Sequence, residues 1–417
     1  MTREFPGRGQ VAILRTAPET VVEDYARLLE LAEVRNALPQ DKETILKINI
    51  SWQTWYPACS TAPWQLEGVI RGLRTAGYHD LIAAHNDTVV VDAHVGEINN
   101  KHKFVVDAYD VANVHLFEPH HNWVRYEPQE PFLVLDEIYP EGVAIPEVMI
   151  GRNVVQLPTV KTHVFTTITG AMKNAFGGLL GRKRHWTHAE IHKTLVDLLT
   201  IQQEIHPGVF AVMDGTFAGD GPGPRAMRWH EKDVILASAD QVAIDAVSAH
   251  LQGFDPLSIP FIRIAHDRGL GVGDIEEIEI LGEDQDWVMG QDWGFVQEDT
   301  LASRGQKAIY HGPLKPLENL LLRTPLVPWS YFASNFYHNV YWYPFVGRGR
   351  VGRALETKWG QLFAEYGAEA GLRGAVMPGM EPKTVVTAAV GLAGLATAIG
   401  VGAWRLRQGR GDRDRPG

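Results

Sequence analysis

One cysteine, Cys59, stands in 417 residues. That excludes an intrachain disulfide and any iron–sulfur cluster or zinc ribbon built from several thiolates. The G-x-S-x-G of a serine nucleophile elbow is missing, and no Rossmann fingerprint lies between a strand and a helix. Neither Ser/His/Asp catalysis nor a nicotinamide cofactor is therefore expected. Positive charge is in deficit: 39 lysines and arginines against 50 acidic residues leave a formal net charge of −11. With a pI near 5.9, the chain offers nucleic acid no broad basic surface. Residues 1–10 hold neither an apolar core nor a twin arginine, so no export signal is read and the main body is expected in the cytoplasm. What the chain does have is the 45% apolar content of a globular protein, enough for one large domain or two ordinary ones.

Against this acidic background one window, residues 157–192, is dense in cations, imidazoles, small hydroxyls and glycine. Lys161, His163 and Lys173 fall within 13 residues, and Gly177-Gly178 is followed by Arg182, Lys183, Arg184 and His185. Glycines let backbone N–H groups approach a ligand, and a helix starting beyond them adds partial positive charge, so a phosphate or carboxylate is the expected guest. A solvated basic loop accounts for Arg182–Arg184. It does not account for Lys161, His163, Lys173 and Asn174, which are interleaved with apolar and small residues.

The first part of the chain alternates strands and helices. Val11–Leu14 reads as a strand, and Val21 to Leu31 carries apolar residues at helical spacing. Thr44–Ile50 alternates as a strand with Lys47 and Asn49 on one face. A helix entered through Pro63 runs to about Ala76, and Leu81–Ala84 supplies another strand. Such units predict an α/β fold, a mostly parallel sheet flanked by helices, with ligands beyond the carboxyl ends of strands where Asn49 and Asn86 fall. Val154–Leu157 is expected to deliver Lys161 and His163. Thr187 and Glu190 form a capping-box pattern that starts a helix at about His188, placing His188 and His192 on one face. The pair His120-His121 reads as surface. Val209–Met213 reads as a strand ending in Asp214-Gly215, followed by the shaped turn GDGPGP at 219–224. Ser238 is expected to cap a helix carrying Asp240 and Asp245, with Asp240 either a ligand contact or complementing the helix dipole.

Together these pieces resemble the family catalogued as "domain of unknown function 362". The matching pieces are VAILRT near the start, Lys47 to Asn49, Thr61-Ala62-Pro63, PTVKTH at 158–163, GAMKNAFGG at 170–178, His192, Met213-Asp214-Gly215, GDGPGP, SADQVAIDAV at 238–247 and GLGVGD at 269–274. They cover most of residues 9–284. Many family members carry ferredoxin-type cysteine runs; this chain has none. The family is also distantly similar to the nickel-pincer lactate racemase group, in which lysine and histidine hold an organometallic cofactor.

Three readings follow. In the first, an enzyme or cofactor-binding domain grips an anionic small molecule: Lys161, His163, Lys173 and Asp214 are the catalytic candidates, and Lys47, Asn49, Asn174, Gly177, Gly178 and Asp240 bind the ligand. A lysine among cations loses charge readily and becomes a base or nucleophile near neutral pH. In the second, a divalent metal is held by His185, His188 and His192, with His163 or Asp214 as a further ligand, although the His-Glu-x-x-His pattern of a zinc helix is missing. In the third, the chain is a non-catalytic membrane scaffold.

Past Asp284 the rhythm stops. Residues 285–383 form an aromatic-rich extension, in which Trp329–Phe345 suits either the membrane interface or packing on the main domain. Thr384–Trp404 holds no charge over about the 20 residues that cross a bilayer and is expected to be a single transmembrane helix, a C-terminal anchor followed by the basic tail 405–417. Gly394, Ala398 and Gly402 recur at the spacing of self-associating membrane helices, so a homodimer through that helix is expected as well.

Overall fold

The computed structural model describes residues 3–88, 91–310, 312, 315 and 335–367. Its strands are β1 (Gln10–Arg15), β2 (Thr44–Ile48), β3 (Leu81–His85), β4 (Ala112–His115), β5 (Trp123–Tyr126), β6 (Val143–Pro146), β7 (Asn153–Leu157), β8 (Thr159–His163), β9 (Thr167–Ile168), β10 (Val209–Asp220), β11 (Arg228–Ser238) and β12 (Glu279–Gly282). The main sheet runs β12-β1-β11-β10-β7-β2-β3-β4, with β8 paired to β10 and β9. All neighbours along the main path are parallel except those flanking β11, which is antiparallel to both β1 and β10.

Strand side chains alternate between faces, and here both faces are apolar. Val11, Ile13, Ile45 and Val154 enter one core, and their neighbours Ala12, Leu14, Leu46 and Val155 enter the other. The helices Ile191–Ile205, Gln241–Gln252 and Pro260–Asp267 bury their apolar residues in the first core. Helices Val21–Leu31 and Pro63–Thr75 close the second. These two helices pack so closely that a Cβ on Gly68 would stand 2.7 Å from the Tyr25 side chain. Gln65 then ties the second helix to the sheet, its Nε2 donating to the carbonyls of Pro158 and Val212.

Several local expectations are corrected. The helix after the basic window starts at Ile191, not His188: residues Arg182–Glu190 wind as tighter turns. Thr187 spends its hydroxyl on the Arg184 carbonyl and Glu190 pairs with Lys193, so the capping box does not form. The helix Gln241–Gln252 is capped by Asp240, whose Oδ1 accepts from the N–H groups of Val242 and Ala243; Ser238 instead accepts from the Asp240 N–H. β10 does not stop at Met213 but continues through a bulge between Gly215 and Phe217 to Asp220.

The fold class needs one larger correction. The mostly parallel sheet flanked by helices is present, but no helix among the described residues is long and apolar enough to cross a membrane. The described fold thus contains no C-terminal transmembrane helix, contrary to expectation; the run 384–404 and the tail 405–417 lie outside the described residues. The run leans on Ala and Gly, whose small side chains supply little of the burial free energy that a spanning helix draws on. Within the aromatic extension, the described stretch packs on the domain: Trp342, Trp359 and Phe363 join the second core, and Trp55 stacks on Phe363 with ring centroids 4.0 Å apart.

Candidate functional site

A cavity of about 320 Å3 opens at the carboxyl ends of β2 and β3, with β8 and the turn Ala171–Asn174 as further walls. This is where a parallel sheet leaves a crevice for ligands. The structure brings Lys47, Asn49, Lys161, His163, Lys173, Asn174 and Gly177 to its lining, together with Arg184 and Arg225. Lys47, Lys161, Lys173, Arg184 and Arg225 give it five cationic side chains, while among the described residues no Asp or Glu lines it.

Four of the five cations donate to backbone carbonyls. Lys47 Nζ donates to the Ile48 carbonyl at 2.7 Å, and a Cβ on Gly178 would meet its Cε at 2.9 Å. Gly178 is thus the gap through which Lys47 reaches, and Gly177 lies beside its ammonium. Lys161 Nζ donates to Cys59 O at 2.7 Å, Thr159 Oγ1 at 2.8 Å and Ala58 O at 3.2 Å. Arg225 Nε donates to Ser51 O at 2.9 Å, and Arg184 donates to the carbonyls of Leu180, Gly181 and Asp87. Lys173 differs. Its ammonium sits 4.8 Å above the Phe176 ring and has no hydrogen-bond or ion-pair partner among the described residues.

Asp245 sets the turn that carries Lys173. Its carboxylate accepts from Ala171 N at 2.6 Å and Met172 N at 3.1 Å, while Gly170 leaves the space that lets it approach. Asn174 Nδ2 joins that turn to the sheet by donating to Lys47 O and Gln156 Oε1, both at 2.9 Å. The GDGPGP turn forms the opposite wall: Thr162 Oγ1 donates to Gly221 O at 2.8 Å, and Gly223 lies against the Thr162 carbonyl too closely for any side chain.

Burial in a cationic setting disfavours further positive charge. It lowers Lys47 to about 7, with Arg184 adding to the effect. Lys161 falls to about 8 through burial, and Lys173 falls to about 8 through burial and the charges of Lys161 and Arg184. His163 is pushed well below the usual imidazole range by burial, then by Lys173 and His188. Its Nδ1 accepts from Phe165 N at 3.1 Å, so the neutral ring carries its proton on Nε2.

Four expected site residues do not line the cavity: Gly178 packs against the Lys47 stem, and three lie elsewhere. Asp214 is inside β10 and faces the helix layer, accepting from Tyr25 Oη at 2.7 Å, Trp64 Nε1 at 2.9 Å and Thr216 Oγ1 at 2.8 Å. It ties two helices to the sheet and does not line the cavity. Asp240 is satisfied by four backbone N–H groups, those of Gly9, Val242, Ala243 and Val272. His192 stacks on Phe261 with centroids 5.9 Å apart. His188 does line the cavity, wedged edge-on against Phe165 and Phe176, and burial holds it down to about 3. Neither histidine joins a three-residue metal-ligating group among the described residues.

Arg184 is the reverse case: read as solvated, it is only 7% exposed. Arg225 and Asp245 were also missed. Arg225 directly follows the GDGPGP turn and Asp245 is a lone carboxylate in an apolar helix, which are the signals that could have found them.

The chain is thus a mixed α/β protein with a cationic crevice at its strand ends. Residues 44–250 match the family described as domain of unknown function (DUF362), and this part of the chain belongs to that family. Over 128 residues the chain is 31% identical to the thylakoid-associated protein sll1697 of Synechocystis sp.. That similarity covers 30% of this chain and 40% of the relative, so the chain spans well under half the length of the protein it matches. No solved structure matches it.

Proposed function

We propose that this protein binds a small anionic molecule, bearing phosphate or carboxylate, in the cavity, and acts on it chemically through Lys173. The carrying observation is charge composition: among the described residues five cations and no carboxylate line one cavity in a chain of net charge −11. A structural basic cluster would be neutralised by nearby acids, as buried charges are costly unless paired. An anionic ligand supplies that pairing for Lys173, and the volume suits a small molecule. At neutral pH a lysine near 8 is uncharged in about a tenth of molecules, a usable fraction for a base or nucleophile. His163, neutral with a proton on Nε2, is the donor available beside it.

The test is calorimetric titration of the full chain with sulfate, pyrophosphate and succinate. Losing a charge-assisted contact costs about 1.5–3 kcal/mol, so Lys173→Met is expected to weaken the preferred anion about 10- to 100-fold. Lys183→Met, which removes an exposed lysine set over Trp186, is the control. Equal weakening by both variants, or none by either, sinks the proposal.

A second reading concerns location. The relative's printed name associates it with thylakoids. On this chain Phe345 is 79% exposed and Tyr341 55% exposed, with Arg348 beside them, a pattern suited to peripheral contact with anionic lipid. Phe345→Ser with Tyr341→Ser should then lower co-sedimentation with anionic vesicles; unchanged binding removes this surface from the account.

A further inference from the structure

Outside the cavity, the ends of β3 and β4 and the helix Ala93–Asn99 bring histidine and glutamate together. His85 and His115 are direct cross-strand partners. The Nε2 atoms of both lie 3.0 Å from the same oxygen, Glu97 Oε2. His85 and Glu97 are buried. From this geometry we infer a site for one first-row divalent cation, Zn2+ by preference, ligated by His85 Nε2, His115 Nε2 and the Glu97 carboxylate.

Hydrogen bonding alone fits this cluster poorly. Glu97 Oε2 faces three nitrogens, since Asn113 Nδ2 stands 2.5 Å from it, whereas one carboxylate oxygen offers about two lone pairs. Asn113 Nδ2 is also 3.4 Å from His115 Nε2. If that Nε2 carries the proton it needs to bond Glu97, two donors confront each other. Reversing the amide, an assignment that heavy-atom positions do not fix, brings Asn113 Oδ1, buried and without a partner, among acceptors instead. With the amide so reversed, a cation resolves the conflict by drawing lone pairs from both imidazoles, the carboxylate and the amide oxygen.

The surroundings have the form of a metal's outer layer. His115 Nδ1 is 3.4 Å from Glu118 Oε1, the carboxylate–histidine arrangement that fixes a ring and frees its other nitrogen for a metal. The Phe117 ring flanks His85, His94 and His115. Donor atoms about 2.05 Å from a tetrahedral ion stand about 3.3 Å apart. The three donor atoms here lie within 4.8 Å of one another, so small side-chain adjustments admit the ion. Two imidazoles and a carboxylate are the donor set of zinc and its neighbours rather than of calcium or magnesium. The residue after His85 is Asn86, in the cavity wall, so the ion would brace that wall from behind.

The rival account keeps His115 protonated between Glu97 and Glu118 with no metal. Full-length protein stripped with chelator is titrated with Zn2+ against a chromophoric zinc indicator, and its melting temperature is followed with and without the ion. One tight equivalent per chain and a raised melting temperature are expected. His115→Gln and Glu97→Gln should each weaken binding at least 100-fold, while His188→Gln leaves it unchanged. Glu118→Gln, at a partly exposed position, should weaken it about tenfold with stoichiometry kept. Should the first two variants fail to fold, that last variant and the X-ray absorption spectrum of the loaded wild type, expected to show two imidazole nitrogens, carry the decision. No binding above the level of exposed histidines, equal binding by His115→Gln, or loss with His188→Gln alone would overturn the assignment.

Discussion

Lys47, Lys161 and Lys173 give the cavity a defined response to pH. The unfolded chain keeps lysines near 10.4, whereas the native values are about 7, 8 and 8. Between those limits the unfolded state binds more protons, so these groups make ligand-free stability rise with pH from about 7 towards 10. An anion requires the charged lysines, so its affinity runs the other way: it should fall as pH rises through 7 to 8, by up to tenfold per unit for each proton taken up. Sulfate is the suitable probe because its own charge is constant there. A flat affinity between pH 6.5 and 9 at fixed ionic strength would contradict the scheme. These lysines were legible in the sequence because they are interleaved with apolar and small residues, where a charge has few reasons to be. Arg184 was not, because it sits in a run of like residues and only packing separates the buried member from the exposed Lys183.

Among the elements, strands and long helices followed from periodicity, while ends and caps did not. Asp214 shows why. A carboxylate before a glycine resembles a strand end, but β10 continues through a bulge, and pairing with β11 over that length is a tertiary matter invisible to local pattern. The turn Ala171–Asn174 is too short to show any period, yet it carries Lys173 and depends on Gly170. That glycine has φ +129°, and a Cβ there would lie 2.3 Å from Asp245 Oδ1. Gly170→Ala should therefore cost about 1–3 kcal/mol of stability and, by shifting Lys173, lower sulfate affinity as well. Chemical denaturation and titration of one variant measure both effects; a variant with wild-type stability and affinity would show that the turn does not depend on this contact.

For the whole molecule, the question is whether the aromatic extension is a separate attachment or part of the core. Composition left both open, since rings suited to a membrane interface are equally suited to packing. Trp359 argues for the core. It is buried, its ring lies 5.3 Å from Trp64, and its Nε1 donates to Asp233 Oδ1 at 2.7 Å. Trp64 in turn donates to Asp214, so the extension reaches the junction of both helices with the sheet through one intermediate. Truncating a buried tryptophan costs about 3–5 kcal/mol, and a core residue passes that cost to the entire cooperative unit. Trp359→Ala should accordingly lower the melting temperature of a single transition followed by both tryptophan fluorescence and far-ultraviolet circular dichroism. If a small early transition splits off while the main one stays at its wild-type temperature, the extension folds as an appendage. The second core would then be complete without it.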